Sequence, residues 1–296
     1  MIEGKIKKER RWDMYYLIWL SILDFEPREK LELIKILGTP EKIFNYTENG
    51  LKEFTNSEKI IHKIINSTKR KQAEKIYEKT LAENIEIVGL FDSKYPYKLK
   101  NIYDAPIILY AKGNLNLLES EKTIAIVGSR NCSEYGRKIT EKMSYMLAKK
   151  DYTIVSGMAR GIDSYAHKGA LIAQGKTIAV LGSGINYIYP KENEILYNTI
   201  LEEQGLIISE YPLNMIPTPK CFPARNRIIS GISDKVLVTE ASQKSGSIIT
   251  ANFAIEQGKN VYAIPGNITS VKSEGTNELI KEGAFLVTTL EDIIDL

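Results

Sequence analysis

Seven short apolar runs in the second part of the chain constrain its fold more than any other feature. They read TIAIVG (123–128), YTIVSG (152–157), TIAVLG (177–182), LIISE (206–210), KVLVTE (235–240), NVYAIPG (260–266) and AFLVTT (284–289). Each has the length of a strand and is rich in β-branched residues, yet lacks the polar alternation of a strand with one wet face. Continuous apolar strands of this kind are expected in a parallel sheet covered on both faces, and most of the intervals between them are long enough for a helix. The expected fold class is α/β, with a doubly wound, mostly parallel sheet of about seven strands.

Upstream the periodicity changes. From Trp12 to about Leu81 the apolar residues recur at helical spacing, as in Leu17, Leu20, Ile22 and Leu23 and then Leu31, Ile34 and Leu37, with breaks at Pro27, at Gly38-Thr39-Pro40 and at Gly50. This predicts a small bundle of short helices over residues 1–84. The LGTP and NG breaks are similar to those of helix-hairpin-helix or SAM-like modules, and a plain packing role accounts for them better. Between Ile85 and Asn116 the prolines and tyrosines of DSKYPYKLKNIYDAPIILYAKGN predict extended chain laid over a neighbouring domain. The expected division is thus 1–84 and 85–296.

At 296 residues and 43% hydrophobic content the chain can bury a sizeable core. No apolar run reaches the length of a membrane span, and the charged start MIEGKIKKERR is not followed by a signal-peptide core, so a cytoplasmic protein is expected. Two cysteines, Cys132 and Cys221, and two distant histidines, His62 and His167, give no ligand cluster spaced for zinc, and neither a metal nor another cofactor is expected. The formal net charge of +3 is too mild to announce a polyanion partner. Any such activity has to come from a local basic patch.

In doubly wound sheets the ligand crevice lies beyond the carboxyl ends of the strands, and here those positions are rich in glycine. The first strand delivers Gly128-Ser129-Arg130, the second Ser156-Gly157 and then Arg160-Gly161-Ile162-Asp163, the third Gly182-Ser183-Gly184 and the sixth Pro265-Gly266. Glycine lets the backbone approach a phosphate, and the amides of the following helix start supply donors. None of these loops is the GxGxxG dinucleotide fingerprint. Arg130, at a strand-to-helix junction, is expected to face an anion. Ser247 and Thr250 of SGSIITA either contact a phosphate or cap and tighten their helix. Asp163 and Glu240 have no evident catalytic partner, and His167, four residues after Asp163, reads as a helix-face residue, so no catalytic group is assigned.

The segment CFPARNRIISG (221–231) places Phe222 three residues before Arg225-Asn226-Arg227. Two guanidiniums can grip phosphates, the amide between them can bond a sugar or base edge, and the ring offers a face for stacking, a combination suited to a single strand of nucleic acid. Two solvated arginines beside a core phenylalanine would leave the same residues.

Taken in series, GSR, SGMARGID, the GSG loop followed by YPKEN, ISEYP, FPARNRIISG, TEASQKSGSIITA and IPG with GTNELI resemble the DprA/Smf family of DNA-processing proteins over residues 85–296, and more loosely over the helical region, where many members carry a SAM-like domain. The resemblance implies an extended Rossmann-like domain that binds single-stranded DNA, forms a homodimer and helps load the RecA recombinase onto incoming DNA during natural transformation. Carried over by motif, the DNA pocket falls on Gly128, Ser129 and Arg130 and on Phe222, Arg225, Asn226 and Arg227, with Lys220 as a neighbour. The glycines of SGMARGID and GSG (Gly157, Gly161, Gly182 and Gly184) shape the same rim, and Arg160 and Gly266 are further phosphate-loop candidates. Many members end in a winged-helix domain, which this chain, reaching Leu296 soon after its last strand, is not expected to include. A second reading, a nucleotide-binding enzyme or sensor similar to the LOG-type phosphoribohydrolases, would need a glutamate where this sequence reads KSGSIITA.

Overall fold

The computed structural model describes residues 14–65 and 67–295. The charged start 1–11, Trp12 and Leu296 lie outside the described residues. The chain forms two compact units: Met1–Tyr95 with Tyr103–Tyr110, and Pro96–Ile102 with Ala111–Leu296.

The first unit begins with helix α1 (residues 14–21), followed by α2 (Pro27–Leu37), α3 (Pro40–Asn45), α4 (Glu48–Lys52), α5 (Glu58–Ile65) and α6 (Ser67–Ala82). The predicted breaks at Pro27 and at Gly38-Thr39-Pro40 separate these helices. Pro27 and Pro40 open α2 and α3 at the position where a missing N–H costs nothing. The Thr39 hydroxyl accepts from the Lys42 amide at 3.3 Å and that of Thr47 from the Gly50 amide at 3.1 Å. Gly50 therefore sits inside the one-turn helix α4 rather than breaking the chain. Trp19 and Ile18 are fully buried, and Phe44 packs edge-on against Trp19 with ring centroids 5.0 Å apart. The chain then forms β1 (Glu86–Gly89), the short helix α7 (Tyr97–Lys100) and β2 (Ile108–Gly113), where the sequence predicts only extended chain.

In the second unit all seven predicted strands form: β3 (Thr123–Gly128), β4 (Thr153–Ser156), β5 (Thr177–Leu181), β6 (Leu206–Ser209), β7 (Lys235–Glu240), β8 (Asn260–Ala263) and β9 (Phe285–Leu286). Their order is β6-β5-β4-β3-β7-β8-β9, and every neighbouring pair is parallel. β3 lies where the winding reverses, so the crevice expected of this architecture opens beyond the carboxyl ends of β3 and β7. Helices α8 (Glu134–Ala148), α9 (Ile162–Ile172), α10 (Glu194–Glu202), α11 (Cys221–Gly231), α12 (Gly246–Glu256), α13 (Glu274–Lys281) and α14 (Glu291–Ile294) complete the unit. Ile124, Ile126, Met143, Leu147, Ile154, Ile162 and Leu237 share one buried cluster that joins α8 and α9 to the sheet. Helix α11 meets β5, and α12 meets β3, β7 and β8. Complete burial of β4, β5 and β6 is why those runs read as continuously apolar.

At the amino end of β3, the Asp234 carboxylate accepts from Lys98 Nζ at 2.7 Å, the Thr123 amide at 2.9 Å and the Thr123 hydroxyl at 2.8 Å. Burial alone would raise the Asp234 carboxyl, but these donors and the Lys98 charge hold it below the usual carboxylate range. A carboxyl depressed on folding contributes stability that is present above its unfolded pKa and lost as pH falls through its folded value. Asp234→Asn should therefore lower stability at neutral pH by about 1 kcal/mol, the figure kept small by partial exposure of the pair. In denaturant titrations its difference from the wild type should shrink below about pH 4; a difference that persists unchanged in acid would contradict this role.

Candidate nucleic-acid interface

The site is built on the strand ends flanking the winding reversal. Gly128 closes β3 in register with Glu240 of β7, and the Ser129 amide donates to the Glu240 carbonyl at 2.7 Å. The Glu240 carboxylate is buried and accepts from the Ser133 amide at 2.7 Å and the Ser133 hydroxyl at 2.5 Å, which fixes the start of α8. Its role is loop anchoring, as its position at a helix start allows. Arg130 projects from this loop into solvent, with its guanidinium carbon 5.1 Å from the centroid of the Phe222 ring. Among the described residues it has no hydrogen-bond or ion-pair partner.

The loop after β4 docks against the loop after β3. Gly161 has φ +71°, and a Cβ there would lie 2.3 Å from the Ser129 carbonyl oxygen, so no larger residue fits without moving the Arg130 loop. The Ile162 amide completes the contact by donating to Ser129 at 3.1 Å. Arg160 is exposed and pairs with Glu192. Asp163, in the first turn of α9, is buried, and its carboxylate accepts from the Ala159 amide at 3.3 Å. Burial raises its pKa, opposed chiefly by the nearby Arg225 charge.

CFPARNRIISG forms α11, with Pro223 in the first turn where its missing N–H is tolerated. The helix separates the two arginines that the sequence groups together. Arg225 is 3% exposed and turns inward, donating to the carbonyls of Gly157 and Val180. Its guanidinium takes the space a side chain on Gly157 would need, at 2.6 Å from an ideal Cβ. Burial lowers its pKa to about 10, so it stays charged at neutral pH. Arg227 is 1% exposed and binds both oxygens of Glu210 at 2.8 Å, beyond the end of β6. The expectation that both guanidiniums grip phosphates thus meets a fold that commits each to internal acceptors. Asn226 accepts from Arg225 Nε at 3.2 Å and donates to the Gly246 carbonyl at 3.2 Å, tying α11 to α12. Phe222 is half-buried and Lys220 is exposed at the helix start.

The remaining expected residues divide in the same way. Gly182 follows β5 and sits against Phe222, whose Cδ1 would be 3.0 Å from a Cβ at that position. The Gly184 amide donates to the Met215 carbonyl at 2.9 Å. Ser247 and Thr250 are buried in α12, and Gly266 exchanges two 3.1 Å hydrogen bonds with the Asn277 side chain. These positions serve packing and loop closure. His167 is fully buried, its Nδ1 lies 2.7 Å from the Thr177 hydroxyl, and burial drops its pKa to about 3. It is a neutral core residue.

The sequence reading passes over Tyr189. Its ring centroid is 5.4 Å from that of Phe222 with a 36° tilt, and it is 44% exposed. The chemistry assembled at this edge is therefore one free guanidinium, two adjoining rings and a nearby lysine, over a frame of buried ions. That set suits a phosphate next to a planar base.

The frame makes its own prediction. Arg227→Ala would leave Glu210 with an unmatched charge that is largely shielded from water, and should cost about 3–5 kcal/mol in denaturant unfolding. Arg227→Met combined with Glu210→Gln should recover much of that loss. Equal losses in the single and double variants would refute the pair as the reason for the arginine.

The family model for DNA recombination-mediator protein A matches residues 86–296. The chain is 48% identical over 206 residues to the DNA processing protein DprA of Streptococcus pneumoniae, covering 70% of this chain and 72% of that protein. It is 39% identical over 213 residues to DprA of Bacillus subtilis, covering 72% and 71%. Among solved structures, the X-ray structure of S. pneumoniae DprA aligns with TM-score 0.77 at 36% identity over 95% of both chains. A Helicobacter pylori DprA structure, described as giving insight into a single-stranded DNA binding mode, aligns with TM-score 0.63 at 32% identity over 71% of this chain and 94% of that one. On the extent of these matches, the chain belongs to the DNA recombination-mediator protein A family, the DprA/Smf proteins.

Proposed function

We propose that the chain is a non-catalytic single-stranded DNA-binding protein, with the crevice beyond β3 and β7 as its binding edge. The observation that carries this reading is Arg130: an exposed guanidinium with no hydrogen-bond or ion-pair partner among the described residues, held over an aromatic ring at the winding reversal. Family membership and the single-stranded DNA named for the H. pylori relative support the same polymer. Of the expected contact residues, Arg130, Lys220, Phe222 and Asn226 stand at the surface or half-buried, and Gly128 and Ser129 carry the Arg130 loop. Arg225 and Arg227 act one step back, as the frame that holds α11. His167, the one histidine near this edge in sequence, is buried and neutral in the core. Nothing at the edge favours the nucleotide-hydrolysing alternative.

The proposal extends to a cytoplasmic homodimer that protects entering single strands and helps load RecA during natural transformation, a role whose recombination part alone the family's description supports. No helix among the described residues is long and apolar enough to cross a membrane.

Binding should be tested by fluorescence anisotropy with single-stranded and duplex oligonucleotides at several salt concentrations. The wild type should prefer the single strand. Arg130→Ala should weaken it at least several-fold and reduce the log–log salt slope by about 0.7, the value for one phosphate contact on a single strand. Unchanged affinity and slope would remove the interface from this edge. Release of free base from a nucleoside monophosphate would instead favour the enzymatic reading.

A further inference from the structure

Three groups stand together at the β3, β5 and α11 ends: the Arg130 guanidinium, the Phe222 ring and the Tyr189 ring. Arg130 lies 5.1 Å from the Phe222 centroid and Tyr189 lies 5.4 Å from it. Phe222 also rests on the backbone at Gly182, where an added Cβ would be 3.0 Å away. With neighbours on these sides and most of its surface covered, Phe222 is poorly placed to offer a whole face to a base. Tyr189 is different. It is 44% exposed, and its hydroxyl has no hydrogen-bond partner among the described residues.

The loop that carries Tyr189 is held on several sides. The Ser183 hydroxyl donates to the Tyr187 carbonyl at 2.7 Å, the Gly184 amide to the Met215 carbonyl at 2.9 Å and the Asn186 amide to the Leu213 carbonyl at 2.8 Å. The Tyr197 hydroxyl donates to the Ile185 carbonyl at 3.0 Å, and the Asn193 amide to the Pro190 carbonyl at 3.1 Å. The residue after the tyrosine, Pro190, is buried. An exposed ring on a backbone fixed in this way can receive a planar partner with little of the ordering cost that a mobile loop would add.

We infer that Tyr189 is the base-stacking platform of this edge: a nucleobase lies on its outer face while Arg130 takes the adjoining phosphate, and Phe222 is the middle rung that positions both. This assignment rests on the single-stranded DNA reading given above. The stack reads no base edge, so any base serves, and recognition is of an unpaired base beside a phosphate. A duplex, whose bases are stacked on one another, offers no free face to the ring.

The test measures the affinity of the full chain for a short oligothymidylate and for the same oligomer with abasic positions. Base–aromatic stacking is worth about 1–3 kcal/mol per base, or roughly 5- to 150-fold. Tyr189→Ala should lose affinity for the intact oligomer within that range and show little loss on the abasic one, while Tyr189→Phe keeps wild-type affinity on both. Phe222→Leu should weaken both oligomers, because it withdraws support from Arg130 as well as from the tyrosine. Equal affinity of Tyr189→Ala and the wild type for the intact oligomer, or an equal loss on intact and abasic oligomers, would overturn the platform. Arg130→Ala serves as the separate control: if it still weakens binding while Tyr189→Ala does not, the platform alone fails. If neither variant changes binding, the single-strand reading of the edge fails with it. Thermal melting of each variant identifies any loss that comes from unfolding.

Discussion

A buried guanidinium holds the candidate site together. Arg225 reaches from α11 under the ends of two adjacent strands and donates to the carbonyls of Gly157, beyond β4, and Val180, in β5. Those carbonyls point where the parallel ladder ends, so without a donor they would be buried and unsatisfied, at a cost of about 1–3 kcal/mol each. The arrangement demands a glycine at 157, because the guanidinium fills the volume of a side chain there. Burial works against the charge on Arg225, and the nearby Asp163 in the first turn of α9 works in its favour. The rotation of α11 about its axis follows from this contact, and with it the direction of Phe222, one helical turn earlier. Arg225→Ala thus tests the frame rather than a phosphate contact.

Charge at this edge is divided by burial. The buried cations, Arg225 and Arg227, face carbonyls, Asp163 or Glu210, and their role is to orient α11 and the strand ends. The exposed ones, Arg130 and Lys220, remain available to a polyanion. A chain of +3 overall can bind a phosphate backbone in this way, since what counts is the local field at a lip where acidic groups such as Glu240 are turned inward. Arg160 is intermediate: it is exposed, but Glu192 stands beside it where a phosphate would otherwise be.

Strands β3 to β8 were legible because near-complete burial leaves little room for polar residues; β9, whose two residues are exposed, was legible only as an apolar run after Gly283. Strands β1 and β2 were not. IVG and IILYAKG lie among prolines and tyrosines, and pairing there follows from contacts distant in sequence that no local pattern records. The motif FPARNR was legible as functional, but its geometry was not. Read as a stretch of loop, it groups two arginines and a ring; as a helix, it turns Arg227 about 200° from Arg225 while bringing Phe222 and Arg225 to neighbouring positions. The helical period alone would have separated the two arginines. Tyr189 carries no local signal in GSGINYIYP, because an aromatic in a loop reads as nothing in particular until the fold sets it beside another ring.

The account stands or falls on whether a single strand lies along this one edge of the second unit. Photo-crosslinking with an iodouracil-substituted single-stranded oligonucleotide, followed by peptide mapping, reads that contact directly. Adducts concentrated on the peptides containing Tyr187 and Tyr189 and the start of α11 are the expected result. Adducts confined to the helical residues before β1, or spread evenly over the surface, would contradict it.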